Sequence, residues 1–180
     1  MKALLIIDVQ NDFLAGGSLA VENAERVIPV INGLMDKFEL VLASKDWHPQ
    51  QSAHFQKWPV HCVAGSKGAE FHPDLSQEKI DKIFYKGTGD KDDGYSAFEA
   101  TNVKLIEYLQ ERGITELYLC GIALEFCVKS SALDALREGL TVFLIYDAIA
   151  TFAKEEEKIE QEYTELKKEG AQVILSSQIQ

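Results

Sequence analysis

Short apolar runs alternate with segments of helical periodicity along the whole chain. Ala3–Val9 (ALLIIDV) is a continuous apolar run, as expected for a strand covered on both faces. Glu22–Phe38 repeats apolar residues at Ala24, Val27, Ile28, Ile31, Leu34 and Met35, a helical stripe in which Pro29 shifts the expected start toward itself. Leu40–Ser44 predicts a second strand, followed by a long loop rich in His, Pro, Gly and Trp, and Lys82–Tyr85 predicts a third. Thr101–Arg112 reads as a helix with Val103, Ile106 and Leu109 inward and Gly113 as its cap. Glu116–Gly121 is a fourth strand, Cys127–Glu138 a helix closed by Gly139, and Thr141–Tyr146 a fifth strand. Glu155–Lys168 is a charged amphipathic helix burying Ile159, Tyr163 and Leu166, and Gln172–Leu175 is a sixth strand.

Strands alternating with helices imply right-handed crossovers and the α/β class: a doubly wound, mostly parallel six-stranded sheet with helices on both faces. The expected order is 3-2-1-4-5-6. No repeat, linker or low-complexity tract divides the chain, so residues 1–180 read as a single domain. In this order the first and fourth strands adjoin at the switch point, and ligands bind outside the carboxyl ends of the strands.

The polar residues meet that demand. Asp8 ends the first strand, Asp46 and His48 follow the second, Lys86 follows the third, and Cys127 lies just beyond the fourth. Each alone has a plainer explanation: an aspartate capping a turn, a surface lysine before Gly87, a small cysteine packed near a helix start. Their convergence on one edge makes a site the better reading.

Composition narrows the partners. The 180 residues are 46% hydrophobic and 26% charged, an ordinary globular balance. A net charge of −11 repels phosphate backbones and anionic lipid heads, which argues against nucleic acid and membrane partners. The N-terminal apolar run is short and ends in an aspartate, as a strand does and a signal peptide does not. Cys62, Cys120 and Cys127 are odd in number and form no C-x-x-C pair, which suits a reducing cytoplasm with a thiol free for chemistry.

At a helix start, unpaired backbone N–H groups favour thiolate at Cys127, and the same groups can hold an oxyanion. The Gly121-Ile122-Ala123 turn would aim the Ala123 N–H at the same place. Asp8 can take the thiol proton, and Lys86 can hold that carboxylate ionised and partly offset the thiolate. Cys120, mid-strand, reads as packing, and Cys62 as filler beside a ligand.

The loop after the second strand carries Asp46, His48, His54 and His61. One carboxylate and three imidazoles suit one borderline divalent transition metal such as zinc, iron or manganese. Histidines bonding loop carbonyls are the simpler alternative. His72, followed by Pro73, reads as structural. Phe13, Trp58 and Tyr95 leave the same edge on loops and could form a flat slot for a ring, or plug the loop's own small core.

The segments IIDVQNDF (6–13), GGSL (16–19), DWHPQQSAHF (46–55), WPVHC (58–62), FYKG (84–87), YSAF (95–98) and GIALEFCV (121–128) are colinear over nearly the whole chain. Together they resemble the nicotinamidase/pyrazinamidase enzymes of the isochorismatase-like cysteine hydrolase superfamily. The resemblance implies hydrolysis of nicotinamide to nicotinate and ammonia in NAD salvage, through a Cys127 thioester. It implies a catalytic triad of Asp8, Lys86 and Cys127, with Ala123 and Cys127 N–H groups as the oxyanion hole after a cis Ile122-Ala123 peptide. It further implies Asp46, His48 and His61 as metal ligands, His54 ligating directly or through water, and Phe13, Trp58, Tyr95 and Ala123 around the substrate. Nicotinamide is then the small-molecule partner, with a homo-oligomer left open. A related amidase for another small amide, and a catalytically silent binding scaffold, are the competing readings.

Overall fold

The computed structural model describes residues 1–180 as a six-stranded sheet flanked by four helices. The strands are β1 (Lys2–Ile7), β2 (Leu40–Asp46), β3 (Lys82–Lys86), β4 (Glu116–Gly121), β5 (Thr141–Ile149) and β6 (Gln172–Ile174). The helices are α1 (Val27–Met35), α2 (Leu105–Glu111), α3 (Lys129–Arg137) and α4 (Glu156–Glu169). All neighbouring strands pair in parallel, in the order β3-β2-β1-β4-β5-β6, as the alternating pattern predicts.

Two apolar layers cover the sheet. On one face Leu4 and Ile6 of β1 pack with Ile28, Ile31 and Met35 of α1. On the other, Leu5 and Ile7 pack with Leu105 and Leu109 of α2, Ala132 and Ala135 of α3, and Tyr163 and Leu166 of α4. Alternate residues of β1 thus feed opposite cores, which is why the run reads as unbroken hydrophobicity. No helix is long and apolar enough to cross a membrane.

Several element boundaries differ from the sequence pattern. The stripe at 22–38 becomes a 3-10 turn (Ala24–Arg26) followed by α1, with Pro29 in its first turn, where no intrahelical N–H bond is lost. The helix expected from Thr101 begins only at Leu105, and its buried stripe is Leu105 and Leu109, while Val103 and Ile106 are half-buried. Thr101 and Asn102 instead lie along β3: the Tyr85 N–H donates to Asn102 Oδ1, Asn102 Nδ2 donates to Ile83 O, and the Thr101 N–H donates to Tyr85 O. Local bonding to the exposed edge of β3 outcompetes an extra helical turn.

β2 runs two residues past its expected end and takes in Asp46. The Gln10 side chain supplies the missing neighbour: the Asp46 N–H donates to Gln10 Oε1 at 2.9 Å, and Gln10 Nε2 donates to Asp46 O at 2.8 Å. A buried amide thereby holds the backbone of a key acidic residue as a strand would.

Candidate active site

β1 stops at Ile7, and Asp8 leaves it with φ 49°, a left-handed conformation that a short acidic side chain tolerates. Ser44 Oγ donates to Asp8 Oδ1 at 2.7 Å. Lys86, the last residue of β3, reaches over the ends of β2 and β1. Its Nζ lies 2.8 Å from Asp8 Oδ2, pairs with Asp46 Oδ1, donates to Gly94 O at 2.8 Å and approaches Cys127 Sγ at 3.4 Å. The lysine's approach to Asp8 Oδ2 is an ion-pair contact off hydrogen-bonding geometry, so that buried oxygen has a lone pair to spare. Asp8, Asp46 and Cys127 each present an atom within 4.8 Å of the other two.

Burial governs the charges here. It pushes the Asp8 carboxyl above the usual carboxylate range, and Asp46 adds to the effect while Lys86 opposes it. Burial would also raise Asp46, but Lys86, His48 and His61 outweigh it and hold that carboxyl well below the usual range. Burial alone would strip the proton from Lys86, yet Asp46 and Asp8, then Cys127, keep it firmly an ammonium. The Cys127 thiol is pushed well up by burial, with Lys86 only partly offsetting this. Desolvation thus works against the thiolate, so the sulfur needs a base such as Asp8 to take its proton.

The helical run starts at Leu124, three residues earlier than expected, and Cys127 lies within its first, π-helical turn, Leu124–Val128, which leads into α3. The turn begins from Gly121, φ 113°, where a Cβ would fall 2.1 Å from Ile7 O, so only glycine lets β4 pass this close to β1. The Ile122 N–H donates to that same oxygen at 2.9 Å, and the Ile122-Ala123 peptide is cis, as expected. The Phe126 and Val128 N–H groups both turn to Ala123 O, while the Ala123 N–H itself donates to no protein acceptor.

The three loop histidines converge. His48 Nδ1 lies 2.9 Å from Gly87 O, His61 Nδ1 2.6 Å from Pro59 O, and His54 Nδ1 2.9 Å from Asp92 Oδ1. Those acceptors place the ring proton on Nδ1 in each case and leave Nε2 as a lone pair. Nitrogen atoms of the three rings lie within 4.8 Å of one another. Asp46 Oδ2 lies 3.4 Å from His48 Nε2 and 3.7 Å from His61 Nε2, and the buried His48 Nε2 has no hydrogen-bond partner. An orphaned buried nitrogen among three matching lone pairs and a carboxylate oxygen is a donor set that fits a borderline divalent ion. Burial and the neighbouring His48 lower the pKa of His54, which favours that neutral form.

A pocket of about 400 Å³, counted with its mouth, joins the two clusters. Cys127, Asp46, His54 and His61 line its polar side, and Phe13, Trp58, Tyr95 and Ala123 lie where the sequence pattern puts them. Trp58 meets Phe126 edge-on at 4.9 Å, Phe126 meets Phe152 at 5.8 Å, and Phe13 leans on His61 at 5.5 Å. His72, Cys62 and Cys120 stand outside the pocket, the last with its thiol pushed up by burial alone.

Sequence reasoning missed several contributors. Leu19 and Phe152 line the pocket, and Phe152 follows β5 at the same carboxyl edge, so the edge rule itself could have found it. Glu125 accepts from Thr151 Oγ1 and from the Phe152 and Ala153 N–H groups at 3.2 and 2.7 Å, tying that segment to the cysteine turn. Asp92 lies in a run of charges that reads as solvated loop, but Lys57 first, then Tyr95 and His54, hold its carboxyl down at about 2. Gln10 and Ser44 carried no signal beyond their place beside Asp46 and Asp8.

Comparison with known proteins agrees with this geometry. The isochorismatase domain model matches residues 2–178. The nicotinamidase of Acinetobacter baylyi is 41% identical over 170 residues, covering 81% of this chain and 79% of that protein. Among solved structures, PnC1 from L. infantum in complex with nicotinate superposes with a TM-score of 0.91 at 36% identity, over 98% of this chain and 93% of that one. The pyrazinamidase of Pyrococcus horikoshii in complex with zinc gives 0.87 at 36% identity, over 97% and 98%.

Proposed function

The chain belongs to the isochorismatase family, and on that premise we propose that it is a nicotinamidase, hydrolysing nicotinamide, and pyrazinamide beside it, to the carboxylic acid and ammonia. One observation carries the reading. The Asp8–Lys86–Cys127 cluster and the histidine cluster open on one small aromatic pocket, so a ring and its carboxamide can be held together.

In this reaction Asp8 Oδ2 accepts the Cys127 proton as the sulfur attacks the carboxamide carbon, because burial works against a free thiolate. The carbonyl π electrons move onto oxygen, and the Ala123 and Cys127 N–H groups hold the resulting oxyanion. Asp8 then returns the proton to the amide nitrogen, the C–N bond breaks, and ammonia leaves behind a thioester. Water gives a proton to Asp8 and adds to the thioester, and the Cys127 sulfur departs to regain its proton. Lys86 stays charged throughout, favouring the ionised form of Asp8 against burial and offsetting negative charge on sulfur.

Asp46, His48 and His61, with His54 beside them, would hold one divalent ion, zinc ahead of iron or manganese. When bound it supplies a Lewis acid for the lone pair of a ring nitrogen. Phe13, Trp58 and Tyr95 hold the ring faces and exclude water from the carboxamide. Formation of nicotinate suits salvage of NAD, and three unpaired thiols suit a reducing cytoplasm.

The test is ammonia release from nicotinamide and pyrazinamide. The wild-type enzyme turns over both, and Cys127→Ala loses roughly ten-thousand-fold or more in kcat, as removal of a covalent nucleophile does elsewhere. Turnover that persists in the variant rejects Cys127 as the nucleophile, and no ammonia from either amide with the wild-type enzyme rejects the substrate class.

A further inference from the structure

The segment between β3 and α2 places one side chain against both halves of the pocket. Asp92 Oδ1 accepts from His54 Nδ1 at 2.9 Å and from the Tyr95 hydroxyl at 3.0 Å. The Tyr95 oxygen in turn accepts from Trp58 Nε1 at 2.9 Å. Asp92 Oδ2 pairs with Lys57, whose side chain is largely exposed.

The proton directions in this network are forced. An indole N–H only donates, so the Tyr95 oxygen must accept from Trp58 and give its own proton onward. An ionised carboxylate only accepts, so both His54 and Tyr95 must donate to Asp92. With the proton on Nδ1, His54 has its lone pair on Nε2, and that ring is the one that joins His48 and His61 in the cluster. Replace the acceptor by a methyl group, and the bond that selects that tautomer is lost. The Lys57 contact does not explain the arrangement, because an exposed lysine pair is screened and needs only one oxygen.

We propose that Asp92 is a positioning residue for both halves of the site. It fixes His54 as a ligand with its lone pair toward the divalent ion, and through Tyr95 it fixes Trp58 as a wall of the ring slot. A single oxygen receives both bonds, so the ion-facing imidazole and the ring-facing phenol share one anchor. This rests on the reading of the histidine cluster as a metal site.

The experiment measures zinc affinity by competition with a chromophoric chelator, and nicotinate binding to the zinc-loaded protein by calorimetry. Asp92→Ala is expected to weaken zinc about 10- to 100-fold, the usual effect of removing a carboxylate behind a ligating histidine, and to weaken nicotinate as well. Asp92→Asn keeps an oxygen that accepts both bonds, so it recovers most of the zinc affinity; it also serves as the readable variant if the alanine protein does not fold. Tyr95→Phe cuts only the second arm, leaving zinc affinity unchanged and weakening nicotinate. Wild-type zinc affinity in a folded Asp92→Ala protein overturns the proposal while sparing the metal site. Equal loss of zinc in Tyr95→Phe and Asp92→Ala also overturns it. A wild-type protein that takes up no zinc overturns both readings.

Discussion

Asp46 and Lys86 end neighbouring strands as register partners, and their side chains pair across the floor of the pocket. The other Asp46 oxygen faces His48 and His61, while the same lysine reaches Asp8 and Cys127. The covalent chemistry and the histidine cluster therefore share one buried carboxylate–ammonium pair. Neither half can be altered there without the other.

Lys86→Met tests that dependence. It leaves two buried carboxylates facing each other without a counter-charge, and breaking such a pair costs roughly 3–5 kcal/mol. Urea denaturation near neutrality is expected to show a loss of that order. With both carboxyls then pushed up, the folded variant binds protons more tightly than the unfolded chain, so its deficit shrinks as pH falls. A neutral-pH stability equal to wild type would mean that the lysine contributes nothing to holding the two acids.

The pH profile of kcat/KM follows from Asp8. The base works only when ionised, and burial raises its pKa while Lys86 pulls back without winning. Activity should fall with acid through a midpoint above the ordinary carboxylate value of about 4. Measuring kcat/KM from pH 4 to 8 in non-chelating buffers checks this; a limb below the ordinary value contradicts the direction of the shift.

Glu125 gives a prediction separable from the chemistry. Its carboxylate holds Thr151, Phe152 and Ala153, and Phe152 is a wall of the pocket. Glu125→Ala frees that wall without touching the reacting atoms. KM for nicotinamide is expected to rise about tenfold, on the scale of one lost charge-assisted hydrogen bond, with a smaller change in kcat. Glu125→Gln, which still accepts, should restore most of it. A kcat defect at unchanged KM would place Glu125 in the reaction itself.

The sheet order was legible because each strand is an apolar run and each crossover carries a helical stripe. From that order alone, Asp8, Asp46, Lys86 and Cys127 had to share one edge, and they do. The π-helical turn before α3 was not legible: one extra residue per turn leaves the apolar spacing of Val128, Ala132 and Ala135 intact, so nothing marks where Cys127 sits relative to the helix start.

Roles that depend on distant segments meeting were also hidden. Asp92 sits among Asp90, Lys91 and Asp93, where composition reads as solvent, and only the return of the loop against His54 gives it partners. Gln10 looked like one polar residue after a strand, but the fold turns its amide into the hydrogen-bonding neighbour of Asp46. The burial around the Cys127 thiol was hidden in the same way, because segments far apart in the chain supply it.

Asn102 has a consequence for how the molecule behaves in a crowd. β3 is an outer strand, and an outer strand with free N–H and C=O groups invites the backbone of another chain to zip onto it. Asn102 answers both groups with a single amide, and Thr101 takes a further carbonyl. The strand that delivers Lys86 therefore has its Ile83 carbonyl and both Tyr85 backbone groups taken up within the chain, and β6 at the far side offers only three residues. Those bonds disfavour a foreign strand at the place where it would also pull apart the chemistry.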